Sequence, residues 1–404
     1  MSDAGDATFI RRVVLKNYRS IHHCDVTLGP LTFIVGPNGC GKSNFLDALA
    51  FVSDAVEDGL DNAFRKRGGF GEVRRKGAPR SSIGIELTFH SEPSQRPAVW
   101  QVRIAPASDG LYAVAEERAE PVAGSGTELF PDIPFDGLLD LMPRSYAVKD
   151  GTVCVWPYGW PHRPASAKDL YIRGWPPVSG MAVLEHILGG IRCHNPYPNT
   201  MRAHRPPDAR PYLAPDGGNA AAVIGRLPTD RCERIVQSLR AVVPAVLDVR
   251  KEGVGSEETL LFTLRNGGSG KRRFWASSMS DGTLRALGIL VALYQPGPDP
   301  MPGPLLVGIE EPETALHPAA LKVILDCMRE ASQTRQVVVT THSTDLLDDP
   351  DIPTEAVLAA EMVNGETIIG PVDDVGRQAL KEGLFTPGEL LRMGQLAPQM
   401  DPGK

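Results

Sequence analysis

The chain has 404 residues, of which 42% are hydrophobic and 23% charged, with a formal net charge of −7. This is the composition of an ordinary globular protein, and 41 Gly with 36 Pro signal many loops without reaching low-complexity disorder. An overall acidic chain does not coat nucleic acid across its whole surface, and no apolar run is long enough to span a bilayer.

The opening "MSDAGDATFIRR" lacks the apolar core of a signal peptide. The six cysteines are scattered and none forms a C-x-x-C. A cytoplasmic chain without a disulfide framework or zinc site is therefore expected.

In chain order, Val13–Leu15, Cys24–Leu28 and Leu31–Val35 read as short strands. "GPNGCGKS" follows at once, matching G-x-x-x-x-G-K-[ST] with Gly36, Gly41, Lys42 and Ser43, and "NFLDALAFVSDAVEDGL" continues at helical spacing. The stretch from Arg65 to Arg80 carries seven basic residues and one acid, Glu72, and reads either as a solvated loop or as a local nucleic-acid backbone contact. "SSIGIELTFH", "AVWQVRIA" and "LYAVAEERAE" alternate as strands of a meander.

Residues 121–215, rich in Pro, Gly and Trp, read as an irregular inserted lobe. Helices broken at Pro228 follow, then a hairpin around "GGSG". The second half returns to α/β order. A capped helix begins at "SDGTLRALG", a buried strand ends in Glu310–Glu311, a helix starts after "LHP", and "RQVVVTTHS" is a strand ending in His342. Two short helices hinged at Pro387–Gly388 are expected in the tail.

The expected divisions are 8–120 (first half of the nucleotide-binding unit with an antiparallel β subdomain), 121–255 (inserted lobe), 256–347 (second half) and 348–404 (helical tail). The expected fold is α/β, a phosphate-loop nucleoside triphosphatase with a mixed sheet, an antiparallel β subdomain and an irregular inserted lobe.

The chemistry follows from this order. A glycine-rich turn at a helix N-terminus wraps backbone N–H groups around phosphate oxygens, with Lys42 as a point charge and the Ser43 hydroxyl set for Mg²⁺. Glu310 and Glu311 arrive at a strand end. The first can hold Mg²⁺ through water, and the second can orient and deprotonate an attacking water. Met279–Thr283 is a polar turn opening a helix, which aims free N–H groups at an anion.

With "LKNYRSI", "LTFIVGPNGCGKSN", "RGG", "LAPDGGNAAAVI", "SMSDGTLR", "IEEPETALHP" and "VVVTTHS" in this order, the sequence resembles the RecF/SMC/OLD-like branch of ABC-type ATPases. The resemblance is to the stand-alone bacterial ATPases related to overcoming-lysogenization-defect (OLD) proteins, and it runs from about Val13 to Leu347.

The resemblance implies ATP and Mg²⁺ as cofactors. Gly36, Asn38, Gly39, Gly41, Lys42, Ser43 and Asn44 would contact the nucleotide, with Ser43 and Glu310 on the metal. Glu311 would be the catalytic base and His342 the switch histidine. Ser280, Asp281 and Gly282 would form the signature turn against ATP held by a second copy, and Ala315–Pro318 the D-loop at the dimer seam. The Q-loop glutamine has no clear counterpart, with Gln101 the available candidate.

A transporter domain would lack the long insertion, and an SMC protein would show heptads, which are absent here. The residues after Leu347 are too few for a Toprim nuclease domain, so any nuclease is expected to be a separately encoded partner. Two functions remain open. One is an ATP-dependent homodimer that controls an operon-encoded effector in phage defence. The other is a RecF-like DNA-repair clamp with DNA as its partner.

Overall fold

The structure is a computed structural model and describes residues 9–90, 97–108, 111–120, 145–149, 152–156, 166–174, 180–266, 270–297 and 303–400. Strands β1 (Phe9–Tyr18) and β2 (Ile21–Thr27) form a hairpin, and β3 (Leu31–Val35) runs into the glycine turn and helix α1 (Lys42–Asp58). Helix α1 stops where Gly59 turns to φ 89°. The short helices α2 (Leu60–Arg65) and α3 (Phe70–Val73) precede β4 (Ile83–His90), β5 (Ala98–Pro106), β6 (Tyr112–Glu120), β7 (Ser145–Lys149) and β8 (Thr152–Trp156).

Next come α4 (Gly180–Gly189), β9 (Ile191–His194), α5 (Pro198–Arg202), α6 (Ala220–Ile224) and α7 (Thr229–Val242). Strands β10 (Val246–Val254), β11 (Glu257–Asn266) and β12 (Gly270–Trp275) lead to α8 (Asp281–Tyr294), β13 (Leu306–Glu310), α9 (Pro318–Ala331) and β14 (Gln336–Thr341). The chain closes with α10 (Thr344–Leu347), β15 (Val357–Val363), β16 (Glu366–Pro371), α11 (Asp374–Lys381) and α12 (Pro387–Arg392).

Among the described residues these strands form three sheets. The central one has the order β16-β15-β3-β14-β13-β9 and is parallel except for β16. It is buried on both faces, as a parallel sheet must be. Ile34 and Val338 point into one core, with α1 and the seven-stranded antiparallel sheet β2-β1-β4-β5-β6-β7-β8. Phe33, Val35, Val337 and Val339 point into the other, with α7, α8 and α9. Period-two alternation thus divides one set of strands between two cores.

Three sequence expectations change. Ile191–His194 falls inside the segment read as an inserted lobe, yet it is the edge strand of the central sheet and pairs in parallel with β13. Within that same segment, β7 and β8 extend the N-terminal antiparallel sheet. The rest of 121–144 and 157–165 lies outside the described residues.

The tail is likewise more than helical, because β15 pairs with β3 and continues the central sheet. A four-residue strand of sequence Ile-Arg-Cys-His and an alanine-rich strand carry too little alternation to be seen without their neighbours. Pro387 is the first residue of α12, capped by Thr386 and Glu389, and so is a helix start rather than a hinge.

Candidate functional site

The phosphate loop joins β3 to α1 at the C-terminal edge of the central sheet. Gly39 and Gly41 take φ 78° and 95°, where a side chain would strain the backbone. A Cβ on Gly36 would lie 2.1 Å from the Ala360 carbonyl oxygen, and one on Gly41 would lie 2.0 Å from the Thr367 hydroxyl.

The loop is therefore moulded from behind by the β15–β16 hairpin. Thr367, 1% exposed, donates to the Cys40 carbonyl at 2.8 Å and shares a hydrogen bond with Ser20 at 2.6 Å. Asn44 donates its amide to Ser20 Oγ at 2.6 Å, so its side chain serves this support. Lys42 is buried, and its Nζ donates to the carbonyls of Gly36 (2.8 Å) and Pro37 (2.9 Å). Asn38, Gly39 and Ser43 are exposed at the crown of the loop and the first turn of α1.

Strands β13 and β14 deliver the acids and the histidine to the same edge. Glu310 faces Ser43 across the loop, and its Oε2 accepts from Asn195 Nδ2 at 3.4 Å. Its carboxyl is pushed above the usual carboxylate range, first by burial and then by Asp47 and Glu311. Glu311 sits at φ 43° and donates its N–H to the Thr340 carbonyl at 2.8 Å. Its Oε1 faces His342 Nδ1 at 3.6 Å.

A third acid, Glu313, was not anticipated from the sequence. It is nearly buried, and its Oε1 accepts from Thr341 Oγ1 (2.8 Å) and the His342 N–H (2.9 Å) while facing His342 Nδ1 at 3.2 Å. The imidazole is thereby set between two carboxylates. The only sequence signal was the third glutamate of "EEPE".

The signature turn is braced within its own chain. Ser280 Oγ accepts from the Thr283 N–H at 3.3 Å and caps α8. Asp281 is ion-paired with Arg202, which also donates to the Met279 carbonyl at 2.8 Å. Gly282 packs against Ala315, whose carbonyl oxygen would lie 2.6 Å from any Cβ there. Ala315, in the segment read as the D-loop, itself has φ 62°.

Two further residues join the site. Arg285 of α8 is 3% exposed and donates Nη1 to Asn195 Oδ1 (3.1 Å) and the Pro196 carbonyl (2.7 Å). Its Nη2 donates to the carbonyls of Glu310 and Glu311, both at 2.8 Å. A lone cation in the otherwise apolar "TLRALGILVALY" was the available signal. Asn195 follows β9 directly. Gln101, the sequence candidate for the Q-loop, lies instead in the middle of β5, paired with Glu86 and Arg118 in the antiparallel sheet.

The basic stretch Arg65–Arg80 is folded, and most of its charge is spent internally. Arg67, with a 7% exposed side chain, pairs with Asp47 and Asp54. Lys66 pairs with Asp54 and Asp58, Arg75 with Glu366, and Lys76 with Glu72. Arg74 stacks over Phe70. The stretch is thus ordered rather than a free loop, and four of its seven cations are ion-paired.

Comparison with known proteins accords with this geometry. Residues 9–98 match the family model described as "AAA ATPase domain", and residues 182–348 match "AAA domain, putative AbiEii toxin, Type IV TA system". The chain is similar to an OLD nuclease from Thermus scotoductus (38% identity over 84 residues, 21% of this chain). It is also similar to the DNA replication and repair protein RecF of Corynebacterium jeikeium (34% over 85 residues, 20% of this chain). The matches span 15% and 20% of those relatives' lengths.

Both matched segments are thus similar to ATPase domains, and the chain is similar to the RecF/SMC/OLD-like branch of ABC-type ATPases. Its fold is that of an SMC head. A crystal structure of such a head bound to the C-winged helix domain of ScpA aligns at TM-score 0.52, with 15% identity over 89% of this chain and 96% of that chain. An SMC head with an extended coiled coil, bound to the C-terminal domain of ScpA derived from Pyrococcus furiosus, aligns at 0.51 with 13% identity over 93% and 99%. At these identities the likeness concerns fold alone. In this chain the two matched segments bring the phosphate loop and the paired acids to one sheet edge.

Proposed function

We propose that this chain hydrolyses ATP with Mg²⁺ at sites completed by a second copy of itself, and that the ATP-driven dimer controls a separately encoded effector in bacterial phage defence, within the cytoplasm. The observation that carries the hydrolytic reading is that Glu310, at the end of β13, faces the phosphate loop at Ser43, with Glu311 and His342 facing each other at 3.6 Å beside it.

The donor set fits Mg²⁺, which takes one or two carboxylates, a hydroxyl and substrate phosphates in place of an all-protein cage. Ser43 and Glu310 would hold it, and the ion would neutralise charge developing on the phosphate oxygens. Lys42 and the loop N–H groups bind the phosphates. Glu311 accepts a proton from the attacking water, whose oxygen bonds the terminal phosphorus as the bond to the bridging oxygen breaks and ADP leaves. His342, held by Glu313, is oriented toward the same water.

The dimeric arrangement draws support from the signature turn. Its partners are Arg202 and Ala315, and among the described residues no hydrogen bond or ion pair joins it to Gly36–Asn44. Its capped N-terminus is thus free to serve a nucleotide held by another copy. The defence role rests on the family description over 182–348 and on the likeness to the OLD nuclease. The RecF likeness supports the second reading, a DNA-binding clamp, though four of the seven cations of Arg65–Arg80 are already ion-paired.

Mixing variants tests the composite site. Lys42→Ala and Ser280→Arg homodimers are each expected to be inactive. In the mixed dimer one interface carries both lesions and the other neither, so about half of the wild-type ATPase rate per dimer returns if the two sites fire independently. An active Ser280→Arg homodimer would refute the composite site.

A further inference from the structure

The arginine on the signature helix is placed where it can act on the opposite half of the ATPase machinery. Arg285 lies five positions after Ser280, yet none of its hydrogen bonds goes to the signature turn. Its planar fork reaches under the end of β13 and holds the carbonyls of Glu310 and Glu311 with one nitrogen, and Asn195 and Pro196 with the other.

Asn195 in turn donates to the Glu310 carboxylate at 3.4 Å. The contacts close a ring in which a single guanidinium fixes both the backbone and, through Asn195, the side chain of the metal-side acid. Glu311 needs such support. At φ 43° it holds a conformation that side chains other than glycine adopt at a cost, and its peptide is secured by the Thr340 carbonyl on one side and Arg285 on the other.

A lysine could not reproduce this. An ammonium is a point donor, whereas the guanidinium presents several N–H groups in one plane with fixed spacing.

We propose that Arg285 is a positioning residue for its own chain's Glu310, Glu311 and Asn195, so that it belongs functionally to the phosphate-loop half of the site although it is carried by the signature helix. This rests on the composite-site reading and deepens it. The helix that presents Ser280 to the partner's nucleotide is bolted, one and a half turns later, to the acids that act on its own. A displacement of α8 on engaging the partner is thereby passed to the carbonyls of Glu310 and Glu311.

The test uses complementation in mixed dimers of the full chain. Arg285→Gln is expected to keep ATP affinity within about twofold of wild type, because Lys42 and the loop are untouched, while kcat falls on the order of a hundredfold from misplaced acids. Arg285→Lys recovers less than about a tenth of the loss, for want of the planar fork.

Mixed with Ser280→Arg, the Arg285→Gln chain should restore activity, because both lesions then fall on one site and the other is intact. Mixed with Lys42→Ala it should not. The reverse pattern would assign Arg285 to the signature turn and overturn the proposal. Restoration with neither partner, together with a lowered Tm and lost ATP binding, would reduce it to a packing residue and also overturn it.

Asn195→Ala is exposed and opens no buried cation site. It is expected to show the same complementation class with unchanged Tm, and a wild-type kcat in this variant counts against the ring. If the control pair of Lys42→Ala and Ser280→Arg stays inactive, the composite-site reading loses its support. The kcat loss at intact ATP affinity in the Arg285→Gln homodimer still decides the positioning claim.

Discussion

At the scale of single residues, the site depends on backbone geometry that a side-chain motif does not express. Glu311 occupies the left-handed region at a cost of about 1–2 kcal/mol. That conformation turns its carboxylate back toward His342 instead of letting it continue along the strand. The carboxylate Oε1 faces His342 Nδ1 at 3.6 Å.

Glu311→Gln keeps size and polarity and removes the basicity. We expect ATP binding near wild type and a kcat lowered by about 10²–10⁴-fold, the usual contribution of a general base. Single-turnover hydrolysis and a nucleotide-binding titration on the same sample check this, and wild-type turnover in the variant would remove Glu311 from the mechanism. The place of the glutamate at the end of an apolar strand was readable from the sequence. Its conformation was not, because φ is decided by Thr340 and Arg285, which lie on other elements.

At the scale of elements, the β15–β16 hairpin shows how much of the phosphate loop is made elsewhere. The residues from Gly36 to Ser43 supply flexible glycines, but Ala360 and Thr367, more than three hundred positions away, supply the wall against which they fold. Thr367→Val preserves shape and deletes the hydroxyl that bonds the Cys40 carbonyl and Ser20. With the buried carbonyl left unsatisfied, a cost of about 1–3 kcal/mol is expected. It should appear as a roughly tenfold or larger loss of ATP affinity, with Thr367→Ser restoring most of it. Equal ATP affinity in Thr367→Val would show that the loop holds its shape unaided.

The same scale explains the basic stretch. Its cations look available in sequence, but helix α1 presents Asp47, Asp54 and Asp58 on the adjoining face and pairs with Lys66 and Arg67, while Arg75 pairs with Glu366. Charge counted along a chain gives no information about charge paired across it.

At the scale of the whole molecule, two cores grip the central sheet, and the acid sensitivity of the fold has an identifiable source. His194, at the end of β9, is 2% exposed, and burial lowers its pKa from 6.5 to about 4. The native state thus keeps this imidazole neutral where the unfolded chain protonates it. Above pH 6.5 the group causes no loss. As the pH falls from 6.5 toward 4 the unfolded state gains the proton first and stability declines, by up to about 3 kcal/mol from this residue. Denaturant midpoints for wild type and His194→Gln, measured from pH 7.5 to 4.5, should diverge in slope, with the variant flatter through that window. Parallel curves would assign the acid response to other groups.

The sequence by itself determined the parts of this protein whose chemistry is local. A glycine turn between a strand and a helix, an acid pair closing an apolar strand, a capped Ser-Asp-Gly turn and a strand ending in His342 each state their identity within ten residues, because backbone flexibility, capping and periodicity are short-range properties. Their order was enough to carry the resemblance to this branch of ATPases.

Only the tertiary structure decided which distant segments complete the site. Strands β9 and β15 are too short or too alanine-rich to announce themselves, and they become strands because hydrogen bonds to β13 and β3 satisfy their backbones inside a sheet buried on both faces. Arg285, Asn195, Glu313 and Thr367 take their roles from partners that the chain brings near only on folding. A buried polar group must find such a partner, and sequence proximity does not determine where it lies.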